Sequence, residues 1–97
     1  MPVRKAIVQA SIGLHARPAA VFVRAVTDTG LPVTISKKGK PGVDARSLLE
    51  VMTEDFAYGC EVELAVAADA IPAPYSLLEV EGALEKLRLV LESAQSS

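Results

Sequence analysis

His15 is the only histidine of this chain, and Arg17 follows it by two residues inside the run Gly13-Leu14-His15-Ala16-Arg17-Pro18-Ala19. An unprotonated imidazole is a nucleophile near neutral pH. A guanidinium offers a planar fork of donors matched to phosphate oxygens. Together these residue types suit the acceptance of a phosphoryl group on a ring nitrogen. Pro18 is tolerated in a helix only within its first turn, so the run places His15 at the N-cap of a helix beginning at Ala16. The N–H groups of a first turn lack intrahelical acceptors and carry roughly half a positive charge, which favours an anion there. The same surroundings disfavour imidazolium and leave a neutral ring nitrogen. The competing reading is a capping or surface histidine without chemistry, and spacing alone does not choose between the two.

The elements around this run are legible from periodicity. Residues 3–10, rich in Val, Ile and Ala, read as a strand that Gly13 breaks. The helix that follows runs to about Thr27. It turns Arg17, Val21, Arg24 and Asp28 to one face, and Ala16, Ala19, Val23 and Val26 toward a core. Gly30 ends it. Residues 32–37 form a second strand with Val33 and Ile35 inward, residues 38–42 a turn, and residues 43–45 a short returning strand. Ser47-Leu48-Leu49-Glu50 matches the capping-box pattern, so a short helix runs from Leu48 to about Met52. Residues 60–66 alternate, with Cys60, Val62, Leu64 and Val66 inward and Glu61 and Glu63 toward water. After a loop over residues 68–75, Ser76 to Glu79 is a second capping box. Leu77, Val80, Leu84, Leu87 and Leu91 then mark the most regular helix of the chain. The polar residues 93–97 are expected to fray. The order is β-α-β-β-α-β-α, an α+β arrangement with helices on one face of an antiparallel sheet.

Composition narrows the function classes. Ninety-seven residues make one small domain, and with four aromatic residues and no Trp its core must be aliphatic. A net charge of −2 argues against a nucleic-acid or anionic-membrane partner. A single cysteine excludes an intramolecular disulfide, and one Cys with one His excludes an ordinary zinc site. No metal or cofactor is expected. No apolar leader or run long enough to cross a bilayer is visible, so a cytoplasmic protein without membrane insertion is expected. Cys60 reads as a core residue, and Lys37, Lys38 and Lys40 as a solvated turn.

The Gly13–Ala19 run is similar, without a mismatch, to the active-site signature of the histidine-containing phosphocarrier family, HPr, of the bacterial phosphoenolpyruvate:sugar phosphotransferase system. The resemblance covers essentially the whole chain through element order, length and a second landmark at Ser47. It implies an open-faced sandwich over residues 1–92, a four-stranded antiparallel sheet covered on one face by three helices, and a monomer. His15 would accept a phosphoryl group from enzyme I, itself charged by phosphoenolpyruvate, and pass it to the A domain of a sugar-specific enzyme II in support of sugar uptake. In the family the accepting nitrogen is Nδ1; the sequence alone does not say which nitrogen is used. Arg17 would stabilise the transferring charge. Ser47 corresponds to the serine that an HPr kinase/phosphorylase modifies in many Gram-positive members, although an N-capping role already explains a serine there. Ala20, Val21, Arg24, Leu48, Leu49 and Met52 correspond to the patch that docks the partners, against the alternative of ordinary partial burial. The implied role is that of a stoichiometric carrier, not an enzyme.

Two alternatives stand beside it. One is a regulatory paralogue, either of a nitrogen-type system or controlled through Ser47. The other is an enzyme using His15 as a general base, which the absence of a paired nucleophile and the small surface site disfavour. The chain departs from the family at Pro41-Gly42, which lengthens the turn before Ser47, at the acidic stretch from Glu50 to Asp55, and at the long loop through Pro72 and Pro74. None of these touches the His15 run.

Overall fold

A computed structural model describes residues 3–9, 16–54, 56–71 and 75–93, with the side chains of Ala16, Ala68 and Ser93 left aside. Along the chain run β1 (Val3–Ile7), α1 (Ala16–Thr29), β2 (Thr34–Lys37), β3 (Val43–Asp44), α2 (Leu48–Thr53), β4 (Glu61–Ala65) and α3 (Leu77–Ser93). The four strands form one antiparallel sheet in the order β1-β4-β2-β3. β4, late in the chain, therefore enters between β1 and β2, and α1 carries the chain over it.

The strand alternation explains which side the helices cover. Ala6, Val62, Leu64 and Ile35 face the core and are buried, while Val3, Lys5, Ile7, Glu61 and Thr34 lie on the open face. Arg4 pairs in register with Leu64 on the helix-covered side. A cation there is tolerated because its stem lies along apolar surface while the guanidinium reaches Glu85 on α3 at 3.4 Å. This is why β1 does not alternate cleanly in sequence.

In α1 the buried stripe is Ala19, Phe22 and Val26, with Val23 and Ala25 only partly buried. The stripe thus centres on Phe22, one residue before the Val23 that the alanine and valine pattern suggests; the +3, +4 spacing from Ala19 through Phe22 to Val26 is what α1 satisfies. Phe22 and Phe56, the two phenylalanines, are both fully enclosed. In α3 the expected Val80, Leu84, Leu87 and Leu91 are buried, whereas Leu77 is 58% exposed at the helix start. Cys60 is half-buried beside the core just ahead of β4.

Both capping boxes form, differently. Ser76 closes reciprocally: its N–H donates to Glu79 Oε1 at 3.1 Å, and Glu79 N–H donates to Ser76 Oγ at 3.2 Å. Ser47 Oγ accepts from Glu50 N–H at 3.3 Å, but the Glu50 carboxylate reaches past the cap to the N–H of Asp44. Ser47 N–H is already satisfied by the Asp44 carbonyl, which releases Glu50 for that contact. The loop before α3 contains a 3-10 turn at Ala68–Ala70. It is tied to the helix layer by Tyr75, whose hydroxyl donates to the Thr29 carbonyl at the end of α1. Pro72 and Pro74, and the expected fraying over residues 94–97, lie outside the described residues; α3 itself extends through Ser93.

Candidate functional site

His15 lies outside the described residues, one position before α1. Both neighbouring stretches are firmly held. On the β1 side, Val8 is buried and exchanges backbone hydrogen bonds with the turn before β4, Val8 N–H to Cys60 O at 3.0 Å and Gly59 N–H to Val8 O at 2.7 Å. Gly59 supplies a φ of +81°, a conformation that side chains disfavour, to make that turn. Gln9 N–H then donates to the Leu91 carbonyl near the end of α3. On the α1 side, Pro18 and Ala19 are buried, which anchors the first turn.

Arg17 is the second residue of α1 and is exposed. The first turn carries no acidic side chain, so nothing on the helix itself offsets the positive end of its dipole. Among the described residues Arg17 has no ion-pair or hydrogen-bond partner, which leaves its guanidinium to meet an anion. Three other arginines are engaged, Arg4 with Glu85 among them. Arg46 pairs with Asp44, and Arg88 with Glu85 and Glu92.

The residues assigned to docking fall on two helices that pack together, α1 and α2. Ala20, Val21 and Arg24 continue the exposed face that begins at Arg17, with Val21 50% exposed. On α2, Leu49 is 76% exposed and Leu48 is exposed too, while Val51 is fully buried and Met52 half-buried against the core. A six-residue helix that buries Val51 leaves both of its leucines outward. Met52 therefore packs against the core and leaves only part of its side chain exposed. Ser47 is half-buried, N-capping α2 with extended backbone, φ −103° and ψ 109°.

Electrostatics near the Ser47 turn are set by Asp44. The Arg46 backbone N–H, with its guanidinium, holds the Asp44 carboxyl below its ordinary value. Sequence reading did not find the contacts that hold the chain ahead of His15, because Gln9 with Leu91 and Ile7 with Glu92 meet only through the fold. No local signal marks them. Among the described residues no group of His, Cys, Asp and Glu is arranged to hold a metal, and no helix is long and apolar enough to cross a membrane.

Comparison with known proteins places this geometry. The family model described as the PTS HPr component phosphorylation site matches residues 3–89. The chain is 44% identical over 84 residues to a phosphocarrier protein HPr of Streptomyces coelicolor, covering 86% of this chain and 81% of that one. Among solved structures it is similar to HPr-C-His from Thermoanaerobacter tengcongensis, with a TM-score of 0.75 at 28% identity over 96% of this chain and 93% of that one. It is similar also to a phosphocarrier protein HPr from Bacillus anthracis, with a TM-score of 0.67 at 28% identity over 92% and 94% of the two chains. The antiparallel sheet with three helices is the arrangement these structures share. A family model that spans nearly the whole chain and a relative this similar lead to one conclusion: the chain belongs to the HPr family of phosphocarrier proteins of the phosphotransferase system.

Proposed function

We propose that this phosphocarrier accepts its phosphoryl group on His15 from enzyme I and delivers it to the A domain of a sugar-specific enzyme II, supporting sugar uptake. The observation that carries this reading is the intact Gly13–Ala19 run inside a family match described as a phosphorylation site. The lone pair of an imidazole nitrogen forms an N–P bond as the bond from phosphorus to the donor breaks, and the donor keeps that electron pair. Delivery reverses the roles, so the protein is regenerated and acts stoichiometrically. Arg17, exposed at the start of α1 and without a partner among the described residues, meets the phosphoryl oxygens, and the first-turn N–H groups add fixed dipoles of the same sign. The partners rest on Ala20, Val21, Arg24, Leu48, Leu49 and the exposed part of Met52. The compartment consistent with these partners is the cytoplasm.

A second reading concerns Ser47. Its Oγ caps α2 from a half-buried position, and a phosphate there would lie at a helix N-terminus that favours it, beside the Glu50 carboxylate that does not. Modification by an HPr kinase/phosphorylase would thus change the α2 side of the docking patch, and with it partner choice. This is the regulatory alternative.

The test is incubation with phosphoenolpyruvate and an active enzyme I, followed by intact mass, with His15→Ala alongside. One added phosphoryl group that is acid-labile, alkali-stable and absent from the variant is the expected result. No transfer from an enzyme I proven on another carrier would overturn the reading in favour of the regulatory one.

A further inference from the structure

The patch assigned to docking is not uniform in charge. On its α1 side, Arg17 and Arg24 are exposed on the same face as Val21, and neither has an ion-pair partner among the described residues. The α2 side is opposite in sign. Val51 marks the core-facing line of that helix. At about 100° per residue, Leu48 and Met52 lie within about 100° of it on one flank, Leu49 stands outermost, and Glu50 lies about 100° round on the other flank. The Glu50 carboxylate accepts from the Asp44 N–H of β3 at 3.3 Å, so its flank is the one toward β3. The Leu48–Met52 flank is then the one toward α1, against which α2 also packs. Across the patch the order is two unpaired guanidiniums, a band of Val21, Leu48 and Leu49, and then a carboxylate. Glu54, one turn further, is half-buried on the Glu50 flank and has the same sign.

Glu50 is an anion held in place with no cation of its own among the described residues. Arg46, the closest cation in sequence, pairs with Asp44 at 3.1 Å instead. The bond to the Asp44 N–H fixes the carboxylate, yet a neutral acceptor of the same shape would make that bond as well. Glu50 meanwhile stays exposed beside Leu49, the most exposed apolar side chain of α2. A partner that covers Leu49 strips water from this carboxylate too. A charge desolvated on docking opposes binding unless the partner meets it with the opposite sign, and one already fixed loses little freedom when it pairs. We infer that the docking face of the enzyme I that charges this chain is bipolar, with acid opposite Arg24 and a lysine or arginine opposite Glu50. This rests on the carrier reading and adds the sign of the partner's charge at each end of the patch. Glu50 then sets specificity: it favours an enzyme I of that polarity and repels one that is acidic throughout.

The test is the KM for this chain in phosphoryl transfer from the enzyme I of the same organism, at low and high salt. Glu50→Gln keeps an acceptor for the Asp44 N–H and removes only the charge. KM is expected to rise about threefold in Glu50→Gln and about tenfold or more in Glu50→Lys, with kcat near its native value. Both rises should shrink toward 1 M salt, where the screening length is about 3 Å. Arg24→Gln should raise KM as well. Glu81→Gln makes the same change of net charge at an exposed site on α3 and should leave KM unmoved. Circular dichroism checks that Glu50→Lys, which loses the acceptor, still folds. The sign of the change decides. A KM that falls in both Glu50 variants means an enzyme I acidic across its whole face, and an unchanged KM puts Glu50 outside the interface. An equal rise in Glu81→Gln means long-range steering alone. Each of these overturns the inference and leaves the carrier reading intact. No transfer to the native chain defeats the carrier reading and this inference with it.

Discussion

Two residues apart on α2, Leu49 and Val51 should separate recognition from stability. Val51 is fully enclosed in the core and Leu49 is 76% exposed. Val51→Ala removes two methyl groups, worth about 0.8 kcal/mol each in transfer, and leaves a cavity that a well-packed core refills only in part, for a total of about 2–3 kcal/mol. In a domain of this size 1 kcal/mol displaces Tm by about 4–8 °C, so a drop on the order of 10–20 °C is expected. Leu49→Ala removes a side chain already in water and should change stability by about 0.5 kcal/mol or less. Its effect should appear instead as a rise of about tenfold in KM for the carrier in phosphoryl transfer from enzyme I, because a leucine buried only in the complex is lost. Urea denaturation gives the first pair of numbers and transfer kinetics the second. Val51→Ala should leave KM near its native value wherever the protein is folded. The reasoning is refuted if Leu49→Ala destabilises as much as Val51→Ala, or if it leaves KM unchanged.

Other perturbations follow from single contacts. Arg17→Lys keeps the charge and loses the planar fork, so the rate of phosphoryl transfer should fall by roughly 10–100-fold with Tm unchanged, read by rapid-quench kinetics. Ser47→Ala removes the α2 cap and should cost about 1 kcal/mol in urea denaturation while His15 phosphorylation persists. Tyr75→Phe deletes the hydroxyl that donates to the Thr29 carbonyl and should cost about 1 kcal/mol; no cost would mean that the long loop is not fastened there. Arg88 holds Glu85 below its ordinary value of 4.5, and Arg46 holds Asp44 below 3.8. Both carboxyls are lowered in the folded state, so their contributions are complete above those values and disappear as pH falls through the lowered ones. Stability measured from pH 6 downward should therefore decline below about pH 4.5, less steeply in Glu85→Gln and at high salt.

The described chain is held on either side of the stretch that contains His15. Before it, the Gln9 N–H donates to the Leu91 carbonyl; after it, Pro18 and Ala19 are buried in the first turn of α1. The edge of β1 is guarded by the end of α3 as well, where the Ile7 N–H donates to Glu92, itself paired with Arg88. An exposed strand edge is a template for unwanted pairing, and a charged helix end that takes one of its donors blunts that edge.

What the sequence determined by itself was whatever depends on neighbours along the chain. The Gly13–Ala19 run, the caps at Ser47 and Ser76, and the helical spacing of Val80, Leu84, Leu87 and Leu91 are local, and each stands where it was expected wherever the structure describes it. So is the alternation of Val62, Leu64 and Val66 against Glu61 and Glu63. The tertiary structure decided what depends on residues far apart in sequence. Periodicity marks which face of β4 is buried but not that β4 lies between β1 and β2. It led to Val23 where packing selected Phe22, and it gave no hint that Arg4 on a core-facing row would be reconciled by Glu85 of α3. Capping chemistry predicted that Glu50 would turn back to Ser47. It turned instead to Asp44, because β3 brings that N–H within reach. Local bonds are written in spacing; the partner of a long side chain is chosen by which elements the core draws together.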